Sequence, residues 1–470
     1  MAGILSLQVQ RYQSQCTQGS IMPRSENGRL AHFHEEIKPI LIITISICPT
    51  FYVSRKRIDS SMKVIVLTLH GARLDAFGTY GGNLAATPHF DKLASQSVVF
   101  DQHYASHLAP LDAEEAIADS TVVTLDELTA ALSTNNGSSA YFADHRVMHH
   151  LSYTASWKHV GVVTDHDLAA LEQPTLSDAV LQHGVDWLQQ YGQHYDSWLL
   201  NLELGALIPD WREEEIAEDP AEKADSDDEE AKAEPIFEFD PEEPSPAPSR
   251  FGWRLAYGGV MRYLDDLMGQ FLKLLDELEL TNECMVVVQS SSGQWLGEYG
   301  PVADRTDGLH EERSHLPLII RFPKGAGAGK RVHHFTQPED VMVTIYQSLV
   351  GEAPVDTQGD HLVRFTQGQA GRYREYAVSL LHSQDEQILE AGLRSLYWHL
   401  IVTLHPEWDS PLQLYRKPED RWDMNNTITE HPEVAEHLEL TLRRWLAWST
   451  TGCLGDAPKL RDEVVKVMAG

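Results

Sequence analysis

The sequence predicts an α/β protein organised around a parallel sheet, and three observations carry that expectation. Lys63–Leu69 (KVIVLTL) is a short β-branched apolar run, uncharged after its first residue, as in a strand buried on both faces. Met285–Gln289 (MVVVQ) is a second run of the same kind. Between them, LSDAVLQHGVDWLQQYGQ and LAYGGVMRYLDDLMGQFLKLLDEL carry apolar residues at helical spacing. In open α/β sheets the chemistry sits at the carboxyl ends of such strands, so His70 and Gly71, which end the first run, come first for scrutiny.

A chain of 470 residues can bury a large core, one big domain plus a smaller one. Its 37 basic and 70 acidic residues leave a formal charge of −33, which argues against nucleic acid or an anionic membrane as partner. Much of that charge is local: 16 acidic residues between Glu213 and Glu243 face only Lys223 and Lys232, leaving −14 in this segment. Continuing into PEEPSPAPSR, the stretch at about 212–250 lacks the apolar area to offset ordering and reads as a disordered surface insertion. A docking site for a basic partner is the rival reading. Cys16, Cys48, Cys284 and Cys453 lie far apart, with neither CxxC zinc spacing nor a disulfide framework. That usage favours a reduced, cytoplasmic setting.

Residues 1–61 read unlike the rest. Their apolar stretch from Pro39 to Val53, broken by Pro49, is shorter than the roughly 20 residues a spanning helix needs, and no signal-peptide cleavage pattern follows it. The expectation is an extension that is disordered, or a mis-assigned start with Met62 as the true first residue. Beyond the first strand, Pro88 with Asp91 opens a helix, Val98–Phe100 is a strand, and LDELTAALSTNNG is a helix ended near Asn136-Gly137. His145, His149, His150, His159 and His166 invite a metal reading, but no HxxxH or HxH pair comes with a third ligand at a recognisable offset, so scattered surface histidines are expected.

In order along the chain, the motifs resemble the sulfatase family, within the alkaline-phosphatase superfamily. Arg73, Asp75, Gly78, Tyr80 and Gly81 fit its Leu-Arg-x-Asp and Gly-x-Tyr-Gly pattern, and TPHFDKLA with HYA at His103–Ala105 follows. SWLLNLELGALIP resembles the strand that leads to a site histidine, and YGGVMRYLDDLMG the long helix. Gly293, Leu296, Gly297, Glu298 and Gly300 fit the Leu-Gly-Glu-His-Gly turn, and LHEERSHLPLIIRFP the last central strand. PEDVMVTIYQSLVGEAP, LRSLYWHLIV, PLQLYRKPEDRWDMNN and HPEVAEHLELTLRRWLAW complete the resemblance to about residue 450. It implies an alkaline-phosphatase-like α/β fold: a large, mostly parallel mixed sheet flanked by helices over 62–355, then a small C-terminal antiparallel sheet with a closing helix over 356–470.

The resemblance also implies a site, and there the residues depart. The family holds a divalent metal on carboxylates and an amide at two strand ends; those positions are His70, Gly71, Ser291 and Ser292 here. Its nucleophile, a formylglycine made in Cys-x-Pro-Ser-Arg, falls on Pro110, and the arginine of that signature on Glu114. Its loop histidine falls on Leu207 and its lysine on Thr306, beside Arg305. Serine hydroxyls do not replace carboxylates around a hard cation. The expectation is therefore a catalytically inactive member with no cofactor and a binding or structural role. A pocket at His70, Arg73, Ser291, Ser292, Trp295 and His310 would take an unknown small molecule or glycan, with Trp295 as a stacking surface at its mouth. The rival is an active sulfate- or phosphate-ester hydrolase with a divalent cation such as calcium, or with His70, His310 or His315 around a softer metal and Ser106, Ser291 or Ser292 as nucleophile.

Overall fold

The computed structural model describes residues 61–108, 124–147, 156–171, 175–208, 247–298, 308–351, 358–368, 374–383, 387–404, 412–450 and 456–461. The leading 60 residues, the acidic tract, His149, His150, Pro110, Glu114, Arg305, Thr306 and Gly300 lie outside them, so the expectations for these have no structural counterpart here.

In chain order the large sheet takes β1 (Lys63–Leu69), β2 (Val98–His103), β4 (Ser138–Asp144), β5 (His159–Val163), β6 (Trp198–Leu204), β7 (Cys284–Gln289), β8 (Leu318–Arg321) and β9 (Lys330–Thr336). Their spatial order is β5-β4-β6-β1-β7-β8-β2-β9, and all neighbours are parallel except β8, which runs antiparallel to both β7 and β2. Helices α1 (Pro88–Ser95), α2 (Leu125–Thr134), α3 (Asp165–Leu171), α4 (Leu176–Tyr191), α5 (Ala247–Glu277), α6 (Glu311–Ser314) and α7 (Pro338–Val350) connect the strands. The small sheet has the order β13-β12-β11-β10-β3, from β3 (His107–Leu108), β10 (Tyr376–His382), β11 (Ile388–Ser395), β12 (Trp398–Thr403) and β13 (Gln413–Arg416), with α8 (Pro432–Ser449) closing it. Four of its strands pair antiparallel; β3, from the first quarter of the chain, adds in parallel to β10.

Local chemistry explains the elements. Thr124 and Glu127 form a reciprocal capping box on α2, and the Thr175 hydroxyl accepts from the Asp178 amide on α4. α5 buries Tyr257, Val260, Met261, Leu264, Leu267, Met268, Phe271 and Leu275, a three-and-four spacing that lays one stripe on the sheet. It begins at Ala247, inside the stretch assigned from the sequence to the insertion.

Strand pleating divides the core. On β1, Ile65, Leu67 and Leu69 face the cluster that includes α4 and α5, whereas Val64 and Val66 face the one that includes α2 and α7. Two residues further along that second face, apolar side chains give way to Thr68 and His70. This change of polarity, at the carboxyl end of the central strand, is where the site lies.

Candidate functional site at the strand ends

β1 lies between β6 and β7, with Thr68 level with Glu203 on one side and Gln289 on the other. Because side chains alternate, Thr68 and His70, Asn201 and Glu203, and Gln289 with Ser291 two residues on share one face. Tyr141 on β4 is level with Asn201 and joins them. The Ser291 hydroxyl lies 2.8 Å from His70 Nδ1. His70 Nε2 lies 3.2 Å from Glu203 Oε2. The tautomer that satisfies both contacts has its proton on Nε2, so the imidazole donates to the carboxylate and accepts from the hydroxyl. Glu203 is held in turn by Asn201 Nδ2, which donates to Oε1 at 2.9 Å, and by the Tyr141 hydroxyl, which donates to Oε2 at 3.1 Å. His70 is buried, Glu203 nearly so, and Ser291 is half-buried.

Two glycines make the turns that deliver these groups. Gly71 sits at φ +86°, and a Cβ there would fall 2.7 Å from the Leu207 carbonyl oxygen. Its bridge partner Gly293 has Glu312 O 1.8 Å from the position of a Cβ. Leu207, at the family histidine position, is fully buried in the core behind Gly71 and offers no acid–base group.

Arg73, the nearest cation along the chain, is committed elsewhere. Its Nε and Nη2 each donate to Asp75 at 2.8 Å, and Nη1 donates to Glu298 at 2.7 Å and to the Gln294 carbonyl at 3.3 Å. Burial by itself would lower the guanidinium, but the two carboxylates hold it above its ordinary value. Burial would likewise raise Glu298, yet Arg73 holds it below the usual carboxylate range. Tyr257 ties this loop down, accepting from the Arg73 amide at 2.8 Å and donating to Gly71 O at 3.0 Å.

The remaining pocket candidates do not gather around His70. Trp295 is only 3% exposed and packs edge-on to His310 at 5.8 Å between ring centres, with the Arg313 guanidinium 5.9 Å from its ring. The stacking surface expected at a cleft mouth is therefore corrected to a core side chain. His310 is buried against Tyr415, and burial lowers its pKa to about 4, leaving it neutral. His315 pairs with Glu311 and Tyr104, while Ser106 accepts from Gln337. A metal shared by His70, His310 and His315 is thus not supported by their placement. Ser292 is half-buried, and its carbonyl accepts from Ser290.

Two groups among the described residues bring three potential metal ligands together, and His70 is in neither. In the first, Asp265 accepts from the amides of His89 and Phe90 in the opening turn of α1, so it works as a helix cap. The second, Glu311, His399 and Asp423, already contains a cation. Lys417 Nζ lies 3.1 Å from Glu311 Oε2 and 2.6 Å from Asp423 Oδ1. Arg394 pairs with Glu311 at 3.4 Å and His399 with Asp423 at 2.8 Å. Of the histidines flagged from the sequence, His145 lies 3.5 Å from Asp165, and His159 packs against Tyr191 with the rings tilted.

Calcium prefers six to eight oxygen ligands, mostly carboxylate. Among the described residues, the family's ligand positions present an imidazole whose two nitrogens are both engaged, a glycine and two hydroxyls, with one carboxylate, Glu203, beside them. That donor set does not suit a hard cation.

With this geometry established, the chain can be placed among known proteins. A family model described as Sulfatase matches residues 209–351. An N-acetylgalactosamine-6-O-sulfatase of Bacteroides thetaiotaomicron is 26% identical over 265 residues, 48% of this chain and 50% of the relative. Over these parts of its length the chain is similar in sequence to sulfatases. An N-acetylglucosamine-6-O-sulfatase of the same organism is 26% identical over 195 residues, 39% of this chain and 33% of the relative. The chain thus spans a third to a half of these curated relatives. A phosphonate monoester hydrolase from Agrobacterium radiobacter superposes with a TM-score of 0.63 at 16% identity, covering 83% of this chain and 96% of that one. A structure described as a complex with its substrate D-glucosamine-2-N,6-O-disulfate gives 0.62 at 18% identity, covering 84% and 98%. These likenesses establish the alkaline-phosphatase-like fold of the sulfatases. Among the described residues, no helix is long and apolar enough to cross a membrane.

The candidate-site residue that sequence reasoning missed is Glu203. Its signal was present in WLLNLEL, where Asn201 and Glu203 break an apolar strand at a spacing of two and so mark one face.

Proposed function

We propose that this sulfatase-like chain has left metal-dependent sulfuric-ester hydrolysis and uses the strand-end site without a cation, in a binding role for a carbohydrate-derived ligand. The observation that carries the reading is that His70 and Ser291, at two of the family's ligand positions, form a hydrogen-bonded set with Glu203. It satisfies its own polar groups, and it supplies one carboxylate where a hard cation wants several. An anionic ester meets no uncommitted cation in Arg73, which is neutralised by Asp75 and Glu298. The carbohydrate class rests on the relatives, whose names are those of amino-sugar sulfatases. The test is turnover of 4-nitrocatechol sulfate and of 4-nitrophenyl phosphate with calcium or with chelator. The reading expects no rate above that of His70→Ala in either condition. Calcium-dependent turnover that His70→Ala abolishes contradicts it.

A second reading, ester hydrolysis with non-standard residues, is favoured by one observation: a half-buried serine hydroxyl is in hydrogen-bond contact with an imidazole that a carboxylate orients.

A further inference from the structure

We propose that Ser291 is a nucleophile, activated by His70 and oriented through Glu203, that reacts with neutral carboxylic esters through an acyl-serine and without a metal. The proposal rests on the absence of a cation at this site argued above, and goes beyond it by assigning chemistry to what remains. Nucleophilic catalysis by serine needs three things: a hydroxyl that solvent can reach, a base in contact with it, and a third group that fixes the base's tautomer. Here they come from three adjacent parallel strands. Ser291 follows β7 and is half-buried, His70 ends β1, and Glu203 lies on β6. The contacts are 2.8 Å from hydroxyl to Nδ1 and 3.2 Å from Nε2 to carboxylate. Asn201 and Tyr141 fix the carboxylate from behind, so the imidazole is held by more than one pair. The base uses Nδ1 toward the nucleophile and Nε2 toward the acid, which is chemically equivalent to the reverse order.

The electrophile class follows from charge. A sulfate or phosphate ester would approach a carboxylate, with the neighbouring guanidinium already claimed by two others. A neutral ester meets no such repulsion. Ser291 Oγ attacks the carbonyl carbon and its proton passes to His70 Nδ1, which transfers it to the departing alkoxide, so an alcohol leaves and an acyl-serine remains. Water then attacks the acyl carbon, His70 takes its proton and returns it to Ser291 Oγ, and the carboxylic acid is released. Ser291 and His70 are the catalytic residues; Glu203 is a positioning residue.

The test uses the full chain and an alkyl fluorophosphonate, a neutral electrophile from which serine displaces fluoride. The expected result is one adduct per chain, located on Ser291 by peptide mass mapping and absent in Ser291→Ala. His70→Gln should slow labelling about 100-fold or more, as loss of a general base does. Glu203→Gln should slow it about 10-fold, with Glu203→Asp recovering part of the rate, a rescue that a merely structural role would not give. Wild-type protein needs no variant to be informative. Natively folded chain with no adduct, an adduct on another residue, or an unchanged rate in a folded His70→Gln each overturns the proposal. Metal analysis of the same sample separates the two readings. Stoichiometric cation sinks the reading of a metal-free site, whereas a cation-free sample that fails to label sinks only this one.

Discussion

Two of the polar clusters that interrupt the apolar interior among the described residues are built on opposite principles. The first, around Glu311, Arg394, Lys417 and Asp423, joins the α6 region of the large-sheet portion to the small sheet and is closed to solvent. It has two acids against two bases, with Tyr104, His315 and His399 taking further hydrogen bonds. Burial would raise Glu311, but Lys417 and Arg394 hold it well below the usual carboxylate range. The second, at the ends of β1, β6 and β7, joins one carboxylate, one imidazole and a hydroxyl that is half-open to solvent. The difference teaches that burial of charge is not itself a sign of chemistry. The balanced, closed cluster is joinery; the one that sets an accessible hydroxyl against an imidazole is the place where chemistry is proposed.

The sharpest way to break the comparison is to unbalance the closed cluster. Lys417→Met leaves Glu311 and Asp423 without their ammonium and should cost about 3–5 kcal/mol in urea unfolding. A loss under about 1 kcal/mol would show that the ion pairs are incidental. Trp295→Ala should cost about 3 kcal/mol or more as a core truncation, while leaving fluorophosphonate labelling of the surviving folded protein unchanged. Loss of labelling with little loss of stability would restore Trp295 to a ligand surface.

A pH test comes next. Burial raises the Glu312 carboxyl from its ordinary value of 4.5 to about 8. The folded state therefore holds a proton that the unfolded chain gives up, so this residue's contribution is fully present below pH 4.5 and is lost as pH rises toward 8. Glu312→Gln should flatten the decline in stability across that window, measured as urea midpoint against pH; an unchanged slope would refute the assignment. The smallest stability effect belongs to the open cluster. Ser291→Ala should change the free energy of urea unfolding by less than about 1 kcal/mol, since it is half-buried and loses one hydrogen bond, yet it should remove all covalent labelling.

How much of this was legible beforehand varies with the physics of each element. β1 and β7 were plain because strands buried on both faces are continuous apolar runs. α5 and α8 were plain because their stripes are long. β4, reading SSAYFAD, passed unnoticed among the histidines, since serines at its start hide a strand whose residues are all buried. β9 and β10 were missed too; β9 is an edge strand with four exposed residues and too little pattern to read. At the site, His70 was found by its position at a strand end, and Ser291 by the resemblance of its turn to that of sulfatases. Glu203 was not, because a carboxylate inside an apolar strand acquires meaning only when the register with β1 sets it level with Thr68. Trp295 was misplaced for a related reason: adjacency to the site in sequence says nothing about which way a side chain turns.

The central claim is that the strand ends hold no cation, and thermal unfolding of the full chain in calcium against chelator tests it most directly. A ligand at 100 times its Kd stabilises the folded state by about 2.7 kcal/mol. The account predicts a Tm that is the same in millimolar calcium and in chelator, for the wild type and for His70→Ala alike. A calcium-dependent rise in Tm that disappears in His70→Ala would contradict it.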